Sequence, residues 1–208
     1  MKQTLFALIG AMAMAGCCCP SEQNTQCQTS TSDAVINTIM SRRSVRQYLP
    51  QAVGRDTMQI ILDCGINAPN GMNAQPWQVR VVDNQADIAA ITAEFAKANP
   101  RMAEDASFKN MFRNAPTVVF IATEHAGAQI DCGLLGENMI LAAWSMGIGS
   151  CCLGGPVHYL KTAEEAKPFL EKLDLPEGFE IVYCIGFGYP DEQPEAKPRD
   201  ASKVKFID

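Results

Sequence analysis

Residues 41–48 read Ser-Arg-Arg-Ser-Val-Arg-Gln-Tyr. Arg42, Arg43 and Arg46 can grip phosphate oxygens in pairs, and Ser44 adds a neutral donor. Alone, the same residues are more simply a solvated basic helix end. A second run, from Asn67 to Trp77, puts Pro69, Asn70, Gly71 and Asn73 into one connection. A plain turn needs only Gly, Pro or Asn, whereas these amides also offer donors and acceptors to something beyond the turn. A third run, Gly147 to Pro156, reads as a loop in which Gly154 and Gly155 let backbone come close to a flat ligand. A fourth, Gly186-Phe187-Gly188-Tyr189-Pro190, leads to Lys197-Pro198-Arg199, a second small cationic cluster.

Other chemistries are excluded. No G-x-G-x-x-G or P-loop pattern occurs, so a resident dinucleotide site of Rossmann type is not expected. Of nine cysteines, Cys17, Cys18, Cys19 and Cys27 lie near the start; Cys64, Cys132, Cys151, Cys152 and Cys184 are scattered through apolar segments. None of these five has a C-x-x-C partner or a His at ligand spacing, so no metal site is expected. The adjacent Cys151 and Cys152 read as small buried thiols, because a vicinal disulfide is strained. His125 and His158 fall in no motif and read as satisfied or exposed; Trp77 and Trp144 read as core. A net charge of −6 argues against nucleic acid as a partner.

Periodicity supplies the elements that must position these groups. Helices are expected over 33–43, with Val35, Ile36, Ile39 and Met40 on one face, and over 56–66 and 85–98. Residues 131–146 are apolar almost all round and predict a central buried helix. Residues 157–173 read as mostly helical despite Pro168. Strands are expected over 78–82, 117–122 and 180–187, with a last short one over 204–206. This order suits one layered α+β or α/β domain.

The beginning of the chain reads differently. Lys2 precedes an apolar run from Leu5 to Ala15, too short to span a bilayer, and Met14-Ala15-Gly16 precedes Cys17. Residues 1–16 thus resemble a bacterial lipoprotein signal and 17–32 a polar tether, leaving 33–208 as the folded domain. Lipidation of Cys17 would attach the protein to a membrane in the cell envelope; an unprocessed chain would be cytoplasmic.

Taken in order, R-R-S-x-R-x-Y, P-x-G-x-N-x-Q-P-W, G-I-G-S and G-Y-P…K-x-R resemble the nitroreductase family, from about Asp33 to Arg199. The resemblance implies an α+β three-layer sandwich, with a central mixed, mainly antiparallel sheet flanked by helices. It implies a homodimer with FMN at the interface, and NADH or NADPH as transient hydride donor to a nitroaromatic, quinone or similar small-molecule acceptor, in a ping-pong cycle. It places Arg42, Arg43 and Ser44 on the FMN phosphate and ribityl chain, with Lys197 and Arg199 closing on the phosphate. Arg46 would lie at the pyrimidine end of the flavin, and Gly154 and Gly155 would face N5. Pro69, Asn70, Gly71 and Asn73 would reach the flavin of the other subunit. No side-chain acid, base or nucleophile is then required; Arg46 and Gly155 would tune the flavin. Rival readings are a surface flavin-binding lipoprotein without turnover, and a dehalogenase or dehydrogenase of a related branch.

Overall fold

Every residue of strand β2 (Thr117–Thr123) is buried, as a β-branched apolar run requires of an inner strand. In the computed structural model, which describes residues 30–207, β2 lies between β1 (Gln78–Val82) and β4 (Glu180–Gly188). The expected leader and all but the last residues of the tether fall outside the described residues. A further strand, β3 (Gly149–Leu153), pairs with β4 and completes the order β1-β2-β4-β3. All three pairings are antiparallel; the parallel contribution is one bridge, from Ser44 to Ser150.

Alternation along the strands sorts side chains into two apolar layers. Val118, Phe120, Cys151, Leu153 and Cys184 meet α3 (Gln85–Ala98), α6 (Gly155–Thr162) and α7 (Lys167–Lys172) through Ile88, Ile91, Leu160 and Phe169. Val119, Ile121, Ile185 and Phe187 meet α2 (Arg55–Ile66) and α5 (Gln129–Ser145) through Ile61, Leu135, Met139 and Ala143. The result is the three-layer sandwich, helices on both faces of the sheet. Helix α5 passes so close to the sheet that a Cβ on Gly136 would lie 1.9 Å from the Tyr183 hydroxyl, so any larger residue would have to displace that ring.

Three expectations need correction. The Gly147–Pro156 run is not all loop. Its middle is β3, where Gly149 admits Val45 so closely that an added Cβ would stand 2.9 Å away, a close approach that also disguised the strand. Residues 157–173 are mostly helical as expected, divided between α6 and α7, with Pro168 in the first turn of α7, where its missing N–H costs nothing. Residues 204–207 form no strand, and Val204, Phe206 and Ile207 are exposed. Cys152 is exposed, because β3 turns only Cys151 into the α6 layer.

Helix α1 (Thr31–Ser41) buries none of its residues. Its apolar face exists, but Val35, Ile36, Ile39 and Met40 stand in solvent, Met40 at 71% exposure. A short helix, α4 (Pro100–Ala103), follows α3.

Candidate functional site

The basic segment begins where α1 ends. Trp144 at the end of α5 donates its indole N–H to the Ser41 hydroxyl at 2.9 Å, fixing the helix terminus; this half-buried Trp is a tether, whereas Trp77 belongs to the core. The Arg42 N–H still reaches the Thr38 carbonyl at 3.1 Å, and the chain then becomes extended. Arg43 folds back over the helix end, its guanidinium donating to the carbonyls of Met40 at 2.9 Å and Arg42 at 2.7 Å. Such capping suits the negative end of a helix dipole.

Beyond Arg43 the chain runs along the outer edge of β3, and Val45 N–H donates to the Ser150 carbonyl at 2.9 Å. It then changes partner. Leu49 N–H donates to Tyr189 and Asp191 N–H to Gln47, both at 2.9 Å, so residues 47–49 pair with the chain after β4. Where the partner changes, Glu192 accepts from the N–H groups of Arg46 and Gln47.

Strand β3 separates the two expected cations. Arg42 lies on the α5 side, its Nε 3.7 Å from Glu137 Oε1 on α5, and both charges reach the Cys152 thiol. Although Cys152 borders solvent, the protein atoms around its thiol displace much of its hydration and push it up to about 11; Cys151 and Glu137 push the same way, and Arg42 opposes them. The neighbouring Cys151 thiol is also raised by desolvation, opposed by Arg46, Arg113 and a hydrogen bond with Ser44. Arg46 donates to the Ser44 carbonyl at 3.1 Å and borders a depression of about 570 Å³ with Arg101, Met102, Phe108 and Arg113. Arg113 and Asn114 hold φ of 55° and 67°, an uncommon conformation for residues with side chains. The Asn114 side chain sustains it, accepting from the N–H groups of Lys109 and Asn110 and donating to Gln47 and Ser107.

At the end of β3, Gly154 and Gly155 are exposed, and a Cβ on either would meet nothing within 4 Å. No fold contact requires glycine here, and the space above this backbone is open. The connection after α2 is braced rather than slack. The Asn70 side chain accepts from Gln75 N–H at 2.8 Å and donates to the Ala68 carbonyl at 3.2 Å, while Met72, Asn73 and Gln75 hold positive φ. Asn70 therefore uses its amide inside the loop, and Pro69, Gly71 and Asn73 are exposed. A Cβ on Gly71 would stand 4.0 Å from Asp131 in the first turn of α5. Glu137, the partner of Arg42, lies six residues further on, about 9 Å along the helix and about 120° around it. Within one chain, then, the loop and Arg42 address different sides of α5. Lys197 and Arg199 are exposed beyond β4, with Arg199 donating to the Lys197 carbonyl at 3.1 Å. His125 and His158 are both exposed.

Residues 39–189 match the sequence profile of the Nitroreductase family. The chain belongs to the nitroreductase family. Among relatives, it is 33% identical to nitroreductase NfnB of Mycolicibacterium smegmatis, over 77% of this chain and 85% of that protein. It is 30% identical to an NADPH-flavin oxidoreductase of Vibrio harveyi, over 79% of this chain and 69% of that protein. Among solved structures, a Bacteroides fragilis nitroreductase with bound FMN superposes with a TM-score of 0.73 at 28% identity, covering 84% of this chain and 98% of the other. The nitroreductase match includes the basic segment, the Asn67–Trp77 connection and the glycine pair, and stops short of Lys197 and Arg199.

Sequence reasoning did not single out Glu192, Glu137 or Arg113. Glu137 sits among apolar residues of a buried helix, a signal worth following; Glu192 and Arg113 carry none, since their neighbours in space are far away in sequence.

Proposed function

We propose that this chain is an FMN-dependent oxidoreductase that takes hydride from NADH or NADPH and passes it to nitroaromatic, quinone or similar acceptors in a ping-pong cycle. The observation that carries this reading is the uncovered glycine pair at the start of α6, following the strand that half-buried Arg42 and Ser44 flank. Open backbone for a flat ring and a cationic, hydroxyl-bearing segment for a phosphate are the donor set that FMN requires. FMN, when bound, supplies hydride acceptance and release at N5. Arg42, Arg43 and Ser44 would hold the phosphate end, with Lys197 and Arg199 closing over it. Arg46 would stabilise the negative charge that reduction places at the pyrimidine end, and Gly154 and Gly155 would line the ring.

The working unit is a homodimer with FMN at its interface. The uncovered apolar face of α1 supports this, as does the separation of the Asn70–Asn73 loop from Arg42 around α5. Pro69, Asn70, Gly71 and Asn73 would then complete the site of the neighbouring subunit, Asn70 by holding the loop in shape. We also propose attachment to the cell envelope through lipidated Cys17. Fractionation of wild type and Cys17→Ala tests it; soluble protein in both forms would end that idea.

The decisive experiment is anaerobic titration of the purified protein with NADH or NADPH, followed in the visible spectrum, then addition of nitro compounds and quinones. A yellow protein that bleaches and regains colour with acceptor is expected. A yellow protein that neither donor bleaches would leave flavin binding without turnover, and a colourless one that cannot be reconstituted with FMN would remove the flavin altogether.

A further inference from the structure

We infer that Glu192 is a positioning residue: by holding the backbone of Arg46 and Gln47, it couples the cationic segment after β4 to the arginine assigned to the flavin. The inference rests on the function proposed above.

Residues 44–49 change partner midway. The parallel bridge from Ser44 to Ser150 comes first, and the antiparallel bridge from Tyr48 to Pro190 follows. At such a change the ladder leaves N–H groups without a carbonyl, and each must find another acceptor. Here the two N–H groups belong to Arg46 and Gln47, and one carboxylate oxygen, Oε1 of Glu192, accepts both, the second at 3.1 Å. The donors and the acceptor are distant in sequence, separated by 146 and 145 positions.

Two features separate this arrangement from an ordinary surface contact. Among the described residues, no ion pair joins Glu192 to Arg46, so the carboxylate is directed at backbone and the guanidinium is not neutralised at close range. Glu192 also opens the connection that carries Lys197 and Arg199, the pair assigned to the phosphate. One short segment thus leads to the phosphate cations and fixes the main chain of the flavin cation. Pull on either end is transmitted to the other through Glu192. The Gln47 side chain extends the brace, accepting from Asn114 at 3.1 Å in the loop that carries Arg113.

The test compares Glu192→Gln, which keeps a carbonyl oxygen, with Glu192→Ala, which removes the acceptor. Glu192→Asp, with its acceptor withdrawn by one methylene, replaces Ala if that variant does not fold. Amide hydrogen exchange at Arg46 and Gln47 is measured in protein without added flavin, and FMN affinity and midpoint potential are measured after loading. In the Ala variant, exchange at these two amides should rise at least about tenfold, FMN affinity should fall about tenfold, and the potential should shift, as expected from losing hydrogen bonds to a charged acceptor. The Gln variant should stay within about threefold of wild type on each measure. Unchanged exchange in the Ala variant would overturn the inference. So would equal shifts in potential in Gln and Ala with exchange still protected in Gln, since that pattern belongs to charge and not to position. A wild-type chain that takes up no FMN would refute the proposed function and the coupling together, while the exchange data would still decide whether Glu192 holds these two amides.

Discussion

Arg42 Nε and Glu137 Oε1 lie 3.7 Å apart, joining the end of α1 to the middle of α5. Both side chains are partly exposed, at 31% and 47%, so the pair is worth no more than about 1 kcal/mol. Its importance is competitive: a carboxylate holds the arginine assigned to the FMN phosphate and repels that phosphate. Glu137→Gln should therefore tighten FMN binding by about two- to fivefold, measured by quenching of flavin fluorescence. Weaker binding in this variant would show that Glu137 orients Arg42 for the phosphate instead.

The same pair also acts on Cys152, beneath the larger effect of lost solvation. With its thiol pushed up to about 11, Cys152 is neutral at pH 8, and its thiolate fraction is about a hundredfold below that of an ordinary cysteine. Alkylation should be correspondingly slow and should rise about tenfold per pH unit until pH approaches 11. Arg42 lowers this thiol and Glu137 raises it. Arg42→Ala should thus slow labelling and Glu137→Gln should hasten it, read by mass spectrometry of the labelled peptide. Rates independent of both substitutions would mean that neither charge reaches the thiol.

Gly136 concerns stability rather than chemistry. The Tyr183 hydroxyl donates to the Cys132 carbonyl at 2.7 Å, and a Cβ on Gly136 would sit 1.9 Å from that oxygen. Gly136→Ala should cost about 3 kcal/mol in chemical denaturation. Adding Tyr183→Phe should recover part of the loss, because the offending oxygen is gone. A double variant no more stable than Gly136→Ala would place the strain elsewhere.

The uncovered face of α1 predicts an assembly defect without a folding defect. Ile39→Glu with Met40→Glu puts charge where no side chain is buried within the chain. The far-ultraviolet spectrum should be unchanged, while light scattering should report a monomer at micromolar concentration and FMN should be lost. A monomer that keeps full FMN affinity would contradict the shared site.

Arg46 and Arg199 should separate by readout. Arg46→Ala should lower the flavin midpoint potential and slow reduction by NAD(P)H, about tenfold or more in rate, with little change in unfolding midpoint. Arg199→Ala should chiefly weaken FMN retention. Equal effects of the two variants on both measurements would mean that they do not serve different ends of the cofactor.

Legibility in the sequence followed locality. Helix α3 and strand β1 agree with their expected bounds residue for residue, since each has a clear period and clear stops. The stripe on α1 was equally clear, but a period shows that a face is apolar, not what covers it. Strand β3 was hidden because Gly149, chosen for close packing, reads as a loop residue. In the site, the glycine pair and the basic segment could be seen by type and spacing. The sorting of Arg42 and Arg46 to opposite sides of β3 could not, because it depends on which strand the segment joins. Glu192 is the extreme case, one acid in an acidic stretch whose role arises from partners at the other end of the domain.

The pairing of Ser44 and Val45 along β3 reaches beyond the site. β3 ends the sheet, and its sequence Gly-Ser-Cys-Cys-Leu carries no charge or proline to discourage another strand from adding to it. What shields that border is the very segment assigned to the cofactor. Any substitution that breaks the Val45–Ser150 backbone bond would bare an adhesive strand, so this short segment guards the protein against aggregation.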